Sequence, residues 1–242
     1  MCGRYAFYAP REAIERVFGV ADPPEIEPRY NIAPTQFVPI VRVDSEGQRV
    51  LRMVRWGLVP FWARDESIGN RMINARAETL GTNTVFREAL EQRRCLVPVS
   101  GFYEWRREGR VSTPHYVERG DGEPFALAGL WARWRPRQAT AENAPLDSCT
   151  IITTDANALL APIHDRMPVI LPPEAFAAWL DPRQHDPAAL SHWLHPAEGG
   201  LLTARVVGRA VNDARGEGAE LIAPIGVGAS SDPDPDQGQS KL

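Results

Sequence analysis

Short strand-like segments dominate this 242-residue sequence and restrict the folds that it can adopt. Alternating apolar residues predict a β-hairpin with strands at 36–43 and 48–56 around the turn sequence DSEG. Further strand-like runs lie at 95–99, 101–106, 114–117, 125–131, 148–153 and 167–171. The regular strand–helix alternation of a doubly wound parallel fold is missing. We therefore expect an α+β fold with a mainly antiparallel, strongly curved or barrel-like sheet and peripheral helices.

Helical patterns are few. They lie at 10–19, 84–92, 173–180 and 187–195. The first has proline in its opening turn and glycine at its end, and the last two are expected on the surface. We find no internal repeat and no linker before the C-terminal end. The sequence thus predicts one domain at 2–227, followed by a disordered acidic and polar tail at 228–242 that is rich in Ser, Asp, Pro and Gln.

Composition excludes several classes of protein. Three cysteines without a C-x-x-C pair fit neither a disulfide scaffold nor a zinc ribbon, so we expect no metal site and no cofactor. His185, His192 and His195 offer an alternative metal site, but without a Cys or a clear acidic partner at ligand spacing we expect them on a solvated helix surface. No apolar run reaches membrane-spanning length, and the N-terminus lacks the basic and apolar regions of a signal peptide. We expect a cytoplasmic monomer with no membrane partner.

The net charge of −4 argues against a generally basic nucleic-acid coat protein, but it conceals an uneven distribution. Residues 49–110 contain 12 arginines and 7 acidic residues, a net charge of +5. The same segment contains Trp56, Trp62 and Trp105. Arginine with tryptophan supplies phosphate contacts and stacking surfaces for unpaired bases. The alternative is that the arginines lie on solvated faces and the tryptophans fill the core, which is the more common outcome for any single residue.

Cys2 follows the initiator methionine directly. Removal of Met1 would leave an N-terminal 1,2-aminothiol, whose amine has a reference pKa of about 8 and whose thiol has one of about 8.5. An aldehyde forms an imine with such an amine, and the sulfur then closes a durable five-membered thiazolidine. The chain has a single lysine, Lys241, so the Cys2 amine is the only amine of the predicted domain able to attack a carbonyl. The alternative is a buried, inert cysteine.

Three polar segments carry further candidate residues. The carboxylate of Glu104, between Tyr103 and Trp105 on a predicted strand, is expected to have a raised pKa and to act as a general acid. Each segment is weak evidence when taken alone. The candidates are Asn74, Arg76 and Glu78 in INARAET, Glu104 in SGFYEWRR, and His164, Asp165 and Arg166 in APIHDRMPV.

Taken together and in order, these segments resemble one known family. The motifs are MCGRY, YNIAPTQ, MVRWGLVPFW, MINARAET, CLVPVSGFYEW and IHDRMPVIL. They resemble the SRAP family (SOS-response-associated peptidase), whose members shield abasic sites in DNA. The resemblance runs from Cys2 to about Val211. It includes the positions at which that family keeps its active residues, which are Cys2, Asn74, Glu104 and His164.

The resemblance implies binding of single-stranded DNA that contains an abasic site, as part of the SOS response to DNA damage. It implies a thiazolidine crosslink between Cys2 and the C1′ aldehyde, which protects the strand from cleavage. Glu104 would move a proton to and from the sugar ring oxygen, His164 would orient or protonate the sugar, and Asn74 would hold the N-terminal residue. DNA contacts are expected from Arg4, Asn31, Trp56, Trp62, Arg76, Trp105 and Arg166. The family name also implies autoproteolytic removal of Met1, which the sequence does not separate from aminopeptidase action, and a lyase activity is compatible with an imine.

Two other functions stay open. Class II glutamine amidotransferases also begin with an N-terminal cysteine, although they usually carry a further domain for which this chain has no room. Alternatively, the chain is a non-covalent single-stranded-DNA-binding module in which Cys2 is incidental.

Overall fold

A computed structural model describes residues 2–136 and 144–225 of the chain. The predicted tail at 228–242 lies outside the described residues. Numbered in chain order, the strands of the described part are β1 (Tyr5–Phe7), β2 (Arg29–Ile32), β3 (Phe37–Val43), β4 (Arg49–Trp56), β5 (Asn74–Arg76), β6 (Arg94–Val99), β7 (Gly101–Glu108), β8 (Val111–Arg119), β9 (Phe125–Trp134), β10 (Leu146–Asp155), β11 (Arg166–Pro168), β12 (Ile170–Leu171) and β13 (Leu202–Val206). The α-helices are α1 (Arg11–Phe18), α2 (Arg87–Gln92) and α3 (Phe176–Leu180).

Five strands close into a barrel in the order β10, β4, β3, β6 and β9. The pairing of β9 with β10 completes the ring, and β10 with β4 is the parallel pair within it. Gly129 on β9 allows close packing inside, since a Cβ there would lie 2.9 Å from the Cys95 sulfur. This closure confirms the expected α+β architecture with a barrel-like, mainly antiparallel sheet. The strands β5, β11 and β12 attach at β10 and β9.

A second, fully antiparallel sheet has the order β13, β8, β7, β1 and β2. The pairing of β1 with β7 in this sheet brings the N-terminus of the chain against β7. Gly101 opens β7 at a point where a Cβ would lie 2.4 Å from the ring of Tyr116. The fully buried side chains of Tyr5 and Phe102 from this sheet join the same core as the barrel. Because the core is shared, the N-terminus is fixed against the barrel.

The helices follow the sequence prediction with two corrections. Helix α1 ends at Phe18 and is capped by Gly19, whose φ of 66° is the left-handed conformation that glycine adopts readily. The predicted helix at 173–180 is a 3-10 turn at Pro173–Ala175 followed by α3. It is not a surface helix, since Trp179 is fully buried and its indole N–H donates to the Cys95 carbonyl at 3.0 Å. The segment predicted at 187–195 is a 3-10 helix at Pro187–Trp193.

Sequence patterns missed several of the short strands. Strands β1, β2 and β5 have three or four residues, too few for an alternating pattern to stand out. Strand β13 was also missed, although it has five residues. The predicted strand at 167–171 divides into β11 and β12, each pairing with a different barrel strand. None of the described helices has the length and apolarity needed to traverse a bilayer.

Candidate active site

Strand register places the N-terminal residues beside Glu104. Tyr5 on β1 pairs with Phe102 on β7, and Ala6 pairs with Gly101. The backbone N–H of Tyr103 also donates to the carbonyl of Arg4 at 2.9 Å. Because the strands are antiparallel, residues before Tyr5 run alongside residues after Phe102. Cys2 and Glu104 are therefore brought together by backbone pairing, although about a hundred residues separate them.

Cys2 is fully buried in this chain. Burial raises the pKa of its thiol well above the ordinary value, and the negative charge of nearby Glu104 raises it further. The thiol is consequently protonated at neutral pH. The backbone of Cys2 is held from the other sheet, since the Asn74 side-chain amide donates to the Cys2 carbonyl at 2.9 Å.

Strand β5 aims Asn74 at the N-terminal segment. It pairs in parallel with β10, with Asn74 opposite Ile151. This pairing fixes the backbone of Asn74, and its side chain reaches the Cys2 carbonyl. Among the described residues, the buried Oδ1 atom of Asn74 has no hydrogen-bond donor. Asn74 thus holds the Cys2 carbonyl through its side-chain nitrogen, while its side-chain oxygen is still able to accept a hydrogen bond.

Glu104 is a buried carboxyl group on β7, only 2% exposed. Burial raises its pKa to about 7, as its position between aromatic residues predicted. At neutral pH the protonated and ionised forms are therefore both present. A carboxyl in this state can both donate and accept a proton without a large change in free energy.

His164 lies in the turn before β11 and is partly exposed. The backbone N–H of Arg166 donates to its Nδ1 atom at 3.0 Å, whereas an Asp165 carboxylate oxygen lies 2.9 Å from the same nitrogen. The first contact needs an unprotonated Nδ1 and the second a protonated one. Burial lowers the pKa of His164, which favours the neutral ring with Nδ1 as acceptor. The proton of the neutral imidazole then lies on Nε2.

A surface depression of about 470 Å³ joins these groups to solvent. Its lining residues are Glu104, Trp105, Arg107, Ile163 and His164. Of the predicted catalytic residues, Cys2 and Asn74 are in contact, Cys2 and Glu104 interact by charge, and Glu104 shares the depression with His164. The four side chains therefore form one site. In the described residues, no three His, Cys, Asp or Glu side chains come together as metal ligands.

Two of the predicted DNA contacts have structural roles instead. Asn31 is fully buried. Its Oδ1 accepts from the Arg4 guanidinium at 2.6 Å, and its Nδ2 donates to the carbonyls of Asp213 and Gly216 at 2.9 Å each. Trp56 is also fully buried, and its indole N–H donates to the Ile73 carbonyl at 2.9 Å. Neither side chain offers a surface to a base, so these two predictions are wrong.

The predicted phosphate-binding arginines differ in their availability. Arg166 is 12% exposed. Its two terminal nitrogens donate to both carboxylate oxygens of Glu78, to Asp155 and to the Thr153 carbonyl, at 2.7–2.9 Å. Those four bonds use every N–H of the two terminal nitrogens, so Arg166 ties parts of its own chain together here, and its contact with a phosphate stays a prediction. Arg76, by contrast, is exposed.

Arg4 and two tryptophans complete the predicted contact set. Arg4 is partly buried, and one terminal nitrogen is used by Asn31 and by the Val211 carbonyl at 2.7 Å. Trp62 is 48% exposed. Trp105 lines the depression and is oriented by a 2.8 Å hydrogen bond from its indole N–H to Asn212. Trp62 and Trp105 therefore remain candidates for base contacts.

Arg107 was missed by sequence reasoning. It is exposed and lies at the rim of the depression. Period-two alternation along β7 places Arg107 on the same face as Trp105, and this signal was available in the sequence.

The arrangement holds the second residue of the chain beside a buried carboxyl group with a raised pKa. The profile of the family described as SOS response associated peptidase (SRAP) matches residues 1–214 of the chain. The chain belongs to this family.

Similar proteins span most of the chain. It is 40% identical over 226 residues to the "Abasic site processing protein YoqW" of Bacillus subtilis (strain 168), covering 92% of this chain and 99% of that protein. It is 32% identical to the "Abasic site processing protein YedK" of Escherichia coli (strain K12), covering 93% and 100%. A crystal structure of a protein from Bacteroides thetaiotaomicron matches with a TM-score of 0.78 and 27% identity, covering 93% and 100%.

Proposed function

We propose that this protein processes abasic sites in DNA by forming a covalent thiazolidine between Cys2 and the C1′ aldehyde of the lesion in single-stranded DNA. The names of its relatives support abasic-site processing. The observation that carries the covalent chemistry is the placement of Cys2 between the Asn74 amide and the buried Glu104 carboxyl. Such a crosslink would shield the lesion from strand cleavage during the response to DNA damage.

The reaction requires hydrolysis of the bond between Met1 and Cys2, which frees the Cys2 amine. The Asn74 Oδ1 atom supports this step of the proposal, because a buried acceptor without a donor is costly unless a ligand or a new group satisfies it. The new ammonium or amine at Cys2 is such a donor, next to the carbonyl that Asn74 already holds.

The covalent step balances without any cofactor. The Cys2 amine attacks C1′ of the open-chain sugar, and loss of one water gives an imine. The thiol then adds across the C=N bond, so that sulfur bonds to C1′ and the thiol proton goes to nitrogen. The net change is aldehyde plus aminothiol to thiazolidine plus water.

Glu104 and His164 supply the proton transfers. A closed abasic sugar must open to expose its aldehyde, which requires a proton on the ring oxygen. Glu104, with a pKa of about 7, is able to give that proton and to take one back. His164 in its neutral form presents an Nε2 proton to the sugar hydroxyl groups.

The absence of competing amines supports the assignment to Cys2. The one lysine of the chain is Lys241, far from the site in sequence. Exposed Arg76 and the partly exposed rings of Trp62 and Trp105 would contact the surrounding strand. Aromatic stacking contributes about 1–3 kcal/mol per base and tolerates any sequence.

The test is intact mass spectrometry of the protein with and without a single-stranded oligonucleotide that contains one abasic site. We expect loss of Met1 and a heat-stable adduct in the unmodified protein, and no adduct in Cys2→Ala. Cys149→Ala, which removes a buried thiol from barrel strand β10, is the matched control and should retain the adduct. A full yield of adduct in Cys2→Ala would overturn the proposal.

The alternatives give different results in the same series. DNA binding that is lost on denaturation, with no adduct, would identify a non-covalent binding module. Release of ammonia from glutamine without an adduct would identify an amidotransferase. Self-removal of Met1 is tested by Glu104→Gln and His164→Ala expressed without methionine aminopeptidase activity, where an autoproteolytic mechanism predicts that Met1 is retained.

A further inference from the structure

Arg107 is the unassigned cation of the candidate site. It lines the depression together with Glu104, Trp105 and His164. Its side chain is exposed, and its positive charge acts on His164 strongly enough to contribute to that residue's lowered pKa. Across the residues that the structure describes, the Arg107 guanidinium makes no ion pair or hydrogen bond, so its charge is available to a ligand.

The backbone geometry of β7 holds Arg107 toward the depression. Arg107 pairs with Ser112 on β8, and Trp105 pairs with Pro114. Residues two apart on a strand lie on the same face, about 7 Å from each other, so Arg107 stands one step beyond Trp105. Its neighbour Arg106 is not among the residues that line the depression and is paired with the carboxylate of Glu108.

Two of the three arginines that sequence reasoning assigned to phosphate are less available than Arg107, whereas the third, Arg76, is exposed. The terminal N–H groups of Arg166 donate to Glu78, to Asp155 and to a backbone carbonyl. Arg4 is hydrogen-bonded to buried Asn31. Both side chains are therefore part of the protein's own framework, whereas Arg107 lines the depression and has an unpaired guanidinium within the residues that the structure describes.

We propose that Arg107 binds a phosphate of the DNA strand directly flanking the nucleotide that occupies the depression. This inference rests on the proposed function, because it assumes that the occupant is a nucleotide. A guanidinium binds a phosphate through charge-assisted, often bidentate hydrogen bonds. With Trp105 beside it on the same strand face, Arg107 forms a pair that holds a base and its phosphate at adjacent positions.

The experiment measures non-covalent binding of a single-stranded oligonucleotide with one tetrahydrofuran residue, which has the shape of an abasic site but no aldehyde. Binding is titrated at several salt concentrations. For Arg107→Gln we expect several-fold weaker binding and a fall of about 0.7 in the magnitude of the slope of log K against log salt, the value for one lost phosphate contact on a single strand. Arg107→Lys should restore most of the slope.

Arg106→Gln is the matched control, since it removes a neighbouring arginine that does not line the depression and is paired with Glu108, and it should leave the slope unchanged. An unchanged slope in Arg107→Gln, or an equal fall in both variants, would overturn the assignment of Arg107. The mass-spectrometric crosslinking assay of the unmodified protein runs in parallel. Its failure would refute the covalent function while the salt titration still decides the role of Arg107.

Discussion

Replacement of Glu104 by glutamine tests the central electrostatic feature of the site. The carboxyl group has an ordinary pKa of 4.5 and a pKa of about 7 in the folded protein, because it is buried. One pKa unit corresponds to about 1.4 kcal/mol, so the ionised form destabilises the fold by about 3 kcal/mol. Glutamine has nearly the same shape and does not ionise.

The sign of the expected stability change follows from the direction in which the pKa of Glu104 is shifted. A raised pKa in the folded state means that the folded protein binds the proton more tightly than the unfolded chain. Below pH 4.5 the carboxyl is protonated in both states, and Glu104→Gln should match the unmodified protein. Between pH 4.5 and 7 the unmodified protein loses stability progressively through this group. Above pH 7 the variant should be more stable by about 3 kcal/mol.

Urea unfolding followed by tryptophan fluorescence at pH 4.5 and pH 8 measures the difference. Both proteins are compared with the same N-terminal residue, verified by mass. Glu108→Gln, an exposed position at the end of the same strand, is the control and should change the free energy of unfolding by less than about 0.5 kcal/mol. The burial argument would be refuted if Glu104→Gln were less stable than the unmodified protein at pH 8. It would also be refuted if the free energy of unfolding changed by the same amount at both pH values. The same variant should lose crosslinking activity even though it is more stable.

Three further outcomes are expected. Asn31→Ala should lower the free energy of unfolding by about 3 kcal/mol, because it removes hydrogen bonds to the Arg4 guanidinium and to the Asp213 and Gly216 carbonyls, and urea denaturation checks this. A stable variant that has lost DNA binding would instead restore the predicted DNA contact. Trp62→Ala should weaken single-strand binding about tenfold in an anisotropy titration with unchanged stability, whereas Trp56→Ala should mainly destabilise the core. Glu78→Gln should lower stability at pH 7 by roughly 1 kcal/mol or less after solvent screening. Because Arg166 lowers the pKa of Glu78, that loss should shrink as the pH falls through the acid range, and melting curves at pH 7 and pH 3 would show it.

Barrel strands were predictable from the sequence because alternation reports burial directly. The hairpin of β3 and β4 lies within one residue of the predicted bounds at 36–43 and 48–56. The same alternation places Trp56 on the face of buried Val54, so its core position was accessible to a stricter reading of the pattern. The burial of Trp179 was not predictable from the local pattern, because it depends on a contact with Cys95, 84 residues earlier.

Site residues were predictable as a set, but their pairings were not. Cys2, Asn74, Glu104 and His164 come together as the motifs indicated. Arg166 is different, because its ion pair is with Glu78, which lies 88 residues away in the sequence. No local pattern tells whether an arginine will meet a carboxylate of its own chain or a phosphate of a ligand.

Burial of Cys2 determines the order in which its two nucleophilic groups act. Its thiol has a raised pKa and stays protonated at neutral pH, which makes it a weak nucleophile. An N-terminal amine with a pKa of about 8 is partly neutral under the same conditions. The amine should therefore attack first, and the thiol should add only when C1′ is already tethered beside it, where proximity compensates for low reactivity. Cys2→Ser keeps the amine and lacks the sulfur, so it should stop at the imine and give a stable adduct only when borohydride reduces it. If Cys2→Ser gave no borohydride-dependent adduct while it still bound the DNA, the sulfur would have to act first and this order would be wrong.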